Sequence, residues 1–128
     1  MNASAPRALP VLVVDDQATA RFLYRTLLEA AGFHVVEACN GREGLMAIQC
    51  QAFACIVLDV QMPEMDGWAV LRALGYPSPS CGVPPVFLHS GEADSETMQV
   101  NARALHIPIR RKQDVASFVA SVQALAPR

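Results

Sequence analysis

Phe53-Ala54-Cys55-Ile56-Val57-Leu58-Asp59-Val60-Gln61-Met62-Pro63-Glu64-Met65-Asp66-Gly67 is the stretch from which the fold is read. Its first six residues form an apolar run with β-branched members, the length and composition of a strand buried on both faces, and such strands sit inside parallel sheets. Asp59 comes where the run stops. It therefore belongs at or just past the carboxyl end of that strand, the edge at which open α/β sheets bind ligands. Pro63 removes a ladder donor and Gly67 permits unusual backbone angles, so the chain turns there toward a new helical pattern. The carboxylate is held on a rigid lip.

Toward the amino end, Val11-Leu12-Val13-Val14 is a second uninterrupted apolar strand, and it stops at Asp15-Asp16. An acidic element thus recurs after a buried strand and before a helix. From Thr19 to Ala31 the apolar positions Phe22, Leu23, Leu27 and Ala30 follow helical spacing, and Gly32 is placed to end that helix in the left-handed conformation. Phe33 to Ala38 reads as a strand, after which Asn40 caps a helix running to about Gln51 with Leu45, Ile48 and Ala52 inward. Residues 1 to 9 mix Ala, Pro, Ser and Asn without period and read as a flexible lead-in to a domain spanning 10 to 126.

Toward the carboxyl end, Gly67 to Leu74 is helical, and Gly75 to Gly82 is too dense in Pro and Gly to continue. Pro84 to His89 is a fourth strand ending at Ser90-Gly91. Asp94 or Ser95 starts a helix with Met98, Ala102 and Leu105 inside. Ile107-Pro108-Ile109 is a short fifth strand whose proline places it at the sheet's edge. Val115, Phe118, Val119, Val122 and Leu125 then give the cleanest helical stripe. Strict alternation of five strands with five helices, joined by right-handed crossovers, predicts a doubly wound parallel α/β sheet.

At 128 residues and 52 % hydrophobic content, one domain with a real core is expected. A formal net charge of −2 gives no footprint for nucleic acid. Residues 1 to 10 hold no apolar segment of signal-peptide length, no run approaches the roughly 20 apolar residues of a membrane span, and the cytoplasm is the expected compartment. Cys39, Cys50, Cys55 and Cys81 form no CxxC pair and no zinc spacing, and are read as reduced core thiols.

If the first, third and fourth strands are neighbours, Asp15, Asp16, Asp59 and Ser90 meet at one edge. Two carboxylates about 4 Å apart repel by about 4 kcal/mol at an effective dielectric near 20, so such a corner favours a divalent cation. All-oxygen ligation is the chemistry of Mg²⁺, which shares its octahedron with phosphate oxygens.

The chain resembles the receiver domain of two-component response regulators. The resemblance rests on Val13-Val14-Asp15-Asp16, on Leu58 to Gly67, and on Pro85-Val86-Phe87-Leu88-His89-Ser90-Gly91, and it covers about residues 9 to 126. It implies a flavodoxin-like (βα)5 fold with strand order 2-1-3-4-5. It also implies that Asp59 accepts a phosphoryl group from a histidine kinase or a histidine phosphotransfer protein, and that the domain then alters the surface of its fourth helix, fifth strand and fifth helix toward a downstream protein target. Under the resemblance Asp15, Asp16, Asp59 and the backbone carbonyl of Gln61 hold Mg²⁺, and Ser90 supplies the hydroxyl that meets the phosphoryl oxygen. The domain is then an acceptor rather than an enzyme, a monomer or weak dimer, and binds neither nucleic acid nor membrane.

The departures from the family pattern lie toward the carboxyl end. A lysine followed by proline is expected after the fifth strand, and the segment here is Ile109-Arg110-Arg111-Lys112-Gln113-Asp114. Counting from Ser90 without gaps gives Lys112 the role of pairing with the phosphoryl group; a small register shift substitutes Arg111 or Arg110, and the sequence leaves these open. Ile109 stands where an aromatic switch residue is usual, and Gly91 where alanine is usual. These departures motivate a second reading, a phosphorylation-independent interaction module. A phosphatase of the haloacid dehalogenase kind ranks below both, because Gln61 occupies the place of its second aspartate. His34, His89 and His106 are scattered, and His89 alone adjoins a proposed site residue. The chain ends at Arg128 without an effector domain, consistent with a stand-alone receiver or a piece of a longer regulator or hybrid kinase.

Overall fold

The computed structural model describes residues 9–79, 82–91, 95–111 and 115–125. Five strands and five helices alternate: β1 (Val11–Val14), α1 (Ala18–Ala30), β2 (Val35–Ala38), α2 (Gly41–Cys50), β3 (Cys55–Asp59), α3 (Gly67–Ala73), β4 (Val86–Ser90), α4 (Glu96–Ala104), β5 (Ile109–Arg111) and α5 (Val115–Leu125). All strand pairs are parallel and the sheet order is β2-β1-β3-β4-β5. The doubly wound, flavodoxin-like sheet read from the sequence is the fold.

Alternation along each buried strand divides the core in two. Leu12 and Val14 of β1, Ile56 and Leu58 of β3 and Leu88 of β4 pack with Val70 and Leu71 of α3 and Ala102 of α4, and Leu45 and Ile48 of α2 lean on the same cluster. The intervening Val11, Val13, Val57 and Phe87 face Tyr24 and Leu28 of α1 and Phe118 and Val122 of α5. Three helices thus cover one face and two the other.

The buried side of α1 differs from the one expected. Phe22 is 72 % exposed and Leu23 41 %, and Ala30 is exposed too, while Tyr24 and Leu28 are buried. The seam is Ala20, Tyr24, Leu27, Leu28 and Ala31, spaced i, i+4, i+7, i+8 and i+11 as an apolar stripe requires. Phe22 lies two residues from Tyr24, about 200° round the helix, and so faces away. Ala52 is exposed rather than inward, because the helix has already ended at Gln51, whose backbone is extended. Of the cysteines expected in the core, Cys55 is buried, Cys39 and Cys50 are exposed, and Cys81 lies outside the described residues.

Helix ends follow their local chemistry. Asn40 caps α2 as expected, its Oδ1 accepting from Glu43 N at 2.8 Å, and Glu43 Oε1 accepts in return from Cys39 N at 2.9 Å. Asp66 caps α3 by accepting from Ala69 N at 2.8 Å. Ser95 is the residue before α4, and Asp94 lies outside the described residues. Gly32 has φ 95°, the left-handed end predicted for it. β5 begins at Ile109 rather than Ile107: Pro108 has no N–H for the ladder and contributes only its carbonyl, which accepts from Leu88 N at 2.9 Å. β5 is an edge strand, the position expected from Pro108.

Candidate functional site

Register decides which side chains meet. β1 and β3 pair with Val14 opposite Leu58, so the next residues, Asp15 and Asp59, lie side by side where the strands end. β3 and β4 pair with Asp59 opposite His89. Neighbouring strands stand about 4.8 Å apart, and the three residues share the parity of Val13, Val57 and Phe87. Asp15, Asp59 and His89 therefore form one row on the face covered by α1 and α5. They are 0 %, 1 % and 1 % exposed, and one ligating atom from each lies within 4.8 Å of the others.

Each member of the row is oriented by its surroundings. Asp15 Oδ1 accepts from Gln17 N at 2.8 Å, which bends the chain into α1, and the Asp15 carbonyl accepts from Arg21 Nη1 at 2.7 Å. Arg21 is itself held by Glu37 Oε1 at 3.1 Å. Asp59 Oδ1 accepts from Gln61 N at 3.3 Å. Nε2 of His89 stands 3.5 Å from Asp15 Oδ2, and its ring meets the edge of Tyr24 at a centroid distance of 4.7 Å. Burial, and then the negative charge of Asp15 and Asp59, raise the Tyr24 phenol well above its ordinary pKa, so it stays a neutral wall.

Ser90 is fully buried at the end of β4 and donates from Oγ to Gln61 Oε1 at 3.4 Å. Asp16 is exposed immediately after Asp15. On β5, Arg110 pairs in register with His89 and Arg111 with Ser90; both are exposed, and Arg110 Nη1 donates to its neighbour's carbonyl, Ile109 O, at 3.1 Å. Lys112, expected to pair with a phosphoryl group, lies outside the described residues. Ile109 is a packed core residue beside Leu88.

Gly67 lets the loop after Asp59 close on the site. A Cβ there would stand 2.6 Å from Asp59 O and 2.9 Å from Val60 Cα, and the Gly67 N–H donates to Val60 O at 2.8 Å. The turn seen as Pro63 and Gly67 in the sequence is thus a close approach of α3 to the backbone of Asp59 itself.

Sequence reading brought Asp15 and Asp59 to one edge, as the structure has them, and singled out His89 as able to approach the site through its neighbour Ser90, but gave it no place in the row and did not single out Tyr24 or Arg21. Strand parity carries the missing signal, since His89 stands two residues after Phe87, an inward residue. The donor set of two buried carboxylates and one imidazole suits a divalent cation.

Comparison with known proteins bears on family and fold. The family model for the response regulator receiver domain matches residues 11–107. A gliding motility regulatory protein of Myxococcus xanthus is 36 % identical over 89 residues, covering 70 % of this chain and 12 % of that protein. A probable transcriptional regulator, ycf27, of Pyropia yezoensis is 41 % identical over 64 residues, covering 50 % of this chain and 26 % of its own length. The chain thus spans about a quarter or less of these two relatives. Among solved structures, Vibrio cholerae chemotaxis protein CheY4 superposes with a TM-score of 0.80 at 26 % identity, over 93 % of this chain and 99 % of that one. A response regulator receiver protein from Burkholderia phymatum gives 0.74 at 29 % identity, with coverage of 93 % and 99 %. The family model spans most of this chain and the solved receivers share its fold, and the chain belongs to the response regulator receiver domain family of two-component signal transduction.

Proposed function

We propose that this receiver takes a phosphoryl group onto Asp59 from the phosphohistidine of a histidine kinase or histidine phosphotransfer protein. The observation that carries the reading is the placement of Asp59. It is a buried carboxylate at the carboxyl tip of the central strand, beside a second buried carboxylate, Asp15, and next to the strand that ends in the Ser90 hydroxyl. In the transfer an Asp59 oxygen forms a bond to phosphorus, the phosphorus–nitrogen bond of the donor breaks, and the imidazole leaves and recovers a proton. The product is an acyl phosphate.

Asp15, Asp16, Asp59 and the Gln61 carbonyl are the groups that would hold Mg²⁺. When bound, the ion supplies positive charge against the equatorial oxygens of the group in transfer. The chain's own part is positioning. The Gln61 N–H orients Asp59 by donating to its Oδ1, and Ser90, which donates to Gln61 Oε1, would exchange that acceptor for a phosphoryl oxygen. Lys112, Arg111 or Arg110 gives the cation that pairs with the product's charge. The domain acts as an acceptor with slow self-hydrolysis, not as a turnover enzyme, and works in the cytoplasm on a downstream protein target. The change spreads through α4, β5 and α5. Because Ile109 is a packed aliphatic residue, that surface responds without the ring movement typical of the family.

The test uses the full chain with Mg²⁺ and acetyl phosphate, read by intact mass. Wild type gains one phosphoryl group and Asp59→Asn gains none. Wild type that gains nothing overturns the reading. In that case a partner captured equally by wild type and Asp59→Asn identifies a phosphorylation-independent module.

A further inference from the structure

His89 has no part in the phosphoryl reading. An all-oxygen magnesium site asks nothing of that position, where any apolar residue would fill the space between Asp59 and Tyr24. A buried imidazole stands there instead, 1 % exposed, with Nε2 turned to Asp15 Oδ2 at 3.5 Å. Its ring is clamped by Tyr24, which is tilted in turn against Phe118 at a centroid distance of 4.5 Å. It cannot leave the row without repacking α1 and α5.

The row has the dimensions of a chelate. Donor atoms around one ion with bonds of about 2.0 to 2.2 Å stand roughly 3.0 to 4.4 Å apart. Here the nearest ligating atoms of Asp15, Asp59 and His89 all lie within 4.8 Å, so small side-chain rotations bring the three onto one centre. Their chemistry differs from that of magnesium. Imidazole nitrogen is a poor partner for Mg²⁺ and a good one for Co²⁺, Ni²⁺ and Zn²⁺, ions at the late end of a first-row affinity order that peaks at Cu²⁺.

We propose that Asp15, Asp59 and Nε2 of His89 form a mixed nitrogen and oxygen site for a late first-row divalent metal of the Co²⁺ or Zn²⁺ class. The site shares both carboxylates with the proposed magnesium position, so the two ions compete. A late metal engages the Asp59 oxygens and withholds them from a phosphodonor. The site itself does not depend on whether Asp59 accepts phosphate.

The test takes the full chain stripped with chelator and titrates Co²⁺, read by its visible d–d absorption, with Mg²⁺ as competitor. Wild type is expected to prefer Co²⁺ over Mg²⁺ by at least about 100-fold. His89→Leu should lose at least about tenfold in Co²⁺ affinity and change less than about twofold toward Mg²⁺, because losing a ligand costs no less than losing an outer-shell partner. Zn²⁺ should also shift the imidazole ¹⁵N resonances of His89 in wild type, whereas the exposed His34 and His106 set the background. The resonance measurement needs no variant and stands even where His89→Leu does not fold. Equal losses toward Co²⁺ and Mg²⁺ in a folded His89→Leu, or His89 resonances unmoved at saturating Zn²⁺, overturn the proposal. Failure of phosphoryl uptake with a Zn²⁺ shift at His89 removes the phosphoacceptor reading alone; the opposite pair of results removes this one alone.

Discussion

Replacing Gly67 with alanine tests whether the loop after Asp59 is as tight as the geometry makes it. The added Cβ would meet Asp59 O at 2.6 Å and Val60 Cα at 2.9 Å, both backbone atoms of the central strand and its continuation. Comfortable carbon contacts begin at about 3.5 Å, and backbone cannot swing aside as a side chain does. Overpacking of this kind costs typically 1–3 kcal/mol. Alanine returns at most about 1 kcal/mol of helix propensity, and less at the first position of α3, so a net loss of about 1–2 kcal/mol is expected. For a domain of this size that is a fall of roughly 3 to 10 °C in Tm. The control is Gly91→Ala, where nothing lies within 4 Å of the added Cβ. That change should be neutral, or stabilise by up to about 1 kcal/mol through a less flexible unfolded chain. Thermal melts and urea titrations of the three proteins give the stabilities, and phosphoryl uptake gives the functional cost, which should fall on Gly67→Ala because its clash pushes on Asp59. A Gly67→Ala protein melting with wild type, or two variants destabilised alike, would refute the reasoning.

Truncating Leu28 to alanine should cost about 2–5 kcal/mol and Phe22→Ser less than about 0.5 kcal/mol, measured by urea unfolding, because Leu28 is fully buried and Phe22 is 72 % exposed. Asn40→Ala should cost about 1 kcal/mol, since its side chain caps α2 by accepting from Glu43 N; circular dichroism melts check it. Hydrogen bonds from Arg25 are the main cause holding the Glu37 carboxyl below its ordinary pKa. Its contribution is therefore present above the unfolded carboxylate pKa and lost as pH falls through the lower folded value, so Glu37→Gln should narrow the stability gap to wild type on acidification. For a pair this open to solvent the effect should not exceed about 1 kcal/mol at neutral pH. Burial pushes the Cys55 thiol up to about 12, so peptide mapping after brief alkylation at pH 8 should find Cys39 and Cys50 modified and Cys55 intact.

The strands and the two central aspartates were legible because a fully buried parallel strand leaves a contiguous apolar mark, and Asp15 and Asp59 each end one. Helix faces were less so. Tyr24 was passed over in favour of Phe22 and Leu23 because phenylalanine and leucine weigh more heavily as core residues, although Ala20, Tyr24, Leu27, Leu28 and Ala31 keep the better period. The boundary of β5 turned on a single missing N–H at Pro108, which proline's presence announced but whose consequence depends on pairing with Leu88. Cys39 and Cys50 lie near apolar segments in sequence yet outside the core in space, one just past the end of β2 and the other, between Gln49 and Gln51, at the last turn of α2. Adjacency along the chain says little about burial once a strand or helix has ended.

His89 shows the same limit at the site. Read along the chain it is the residue before Ser90; read across the sheet it is the third member of a row begun by Asp15 and Asp59. The row exists only because β1, β3 and β4 are neighbours and their registers align the last inward position of each. A slip of one residue in either pairing would turn a member to the opposite face. What keeps the register is the pair of cores beneath it, Val13, Val57 and Phe87 on one side and Val14, Leu58 and Leu88 on the other. Packing far from any ligand therefore fixes which three side chains share the edge, and a core substitution that loosened β4 would be felt first as a change in what Asp59 has for company.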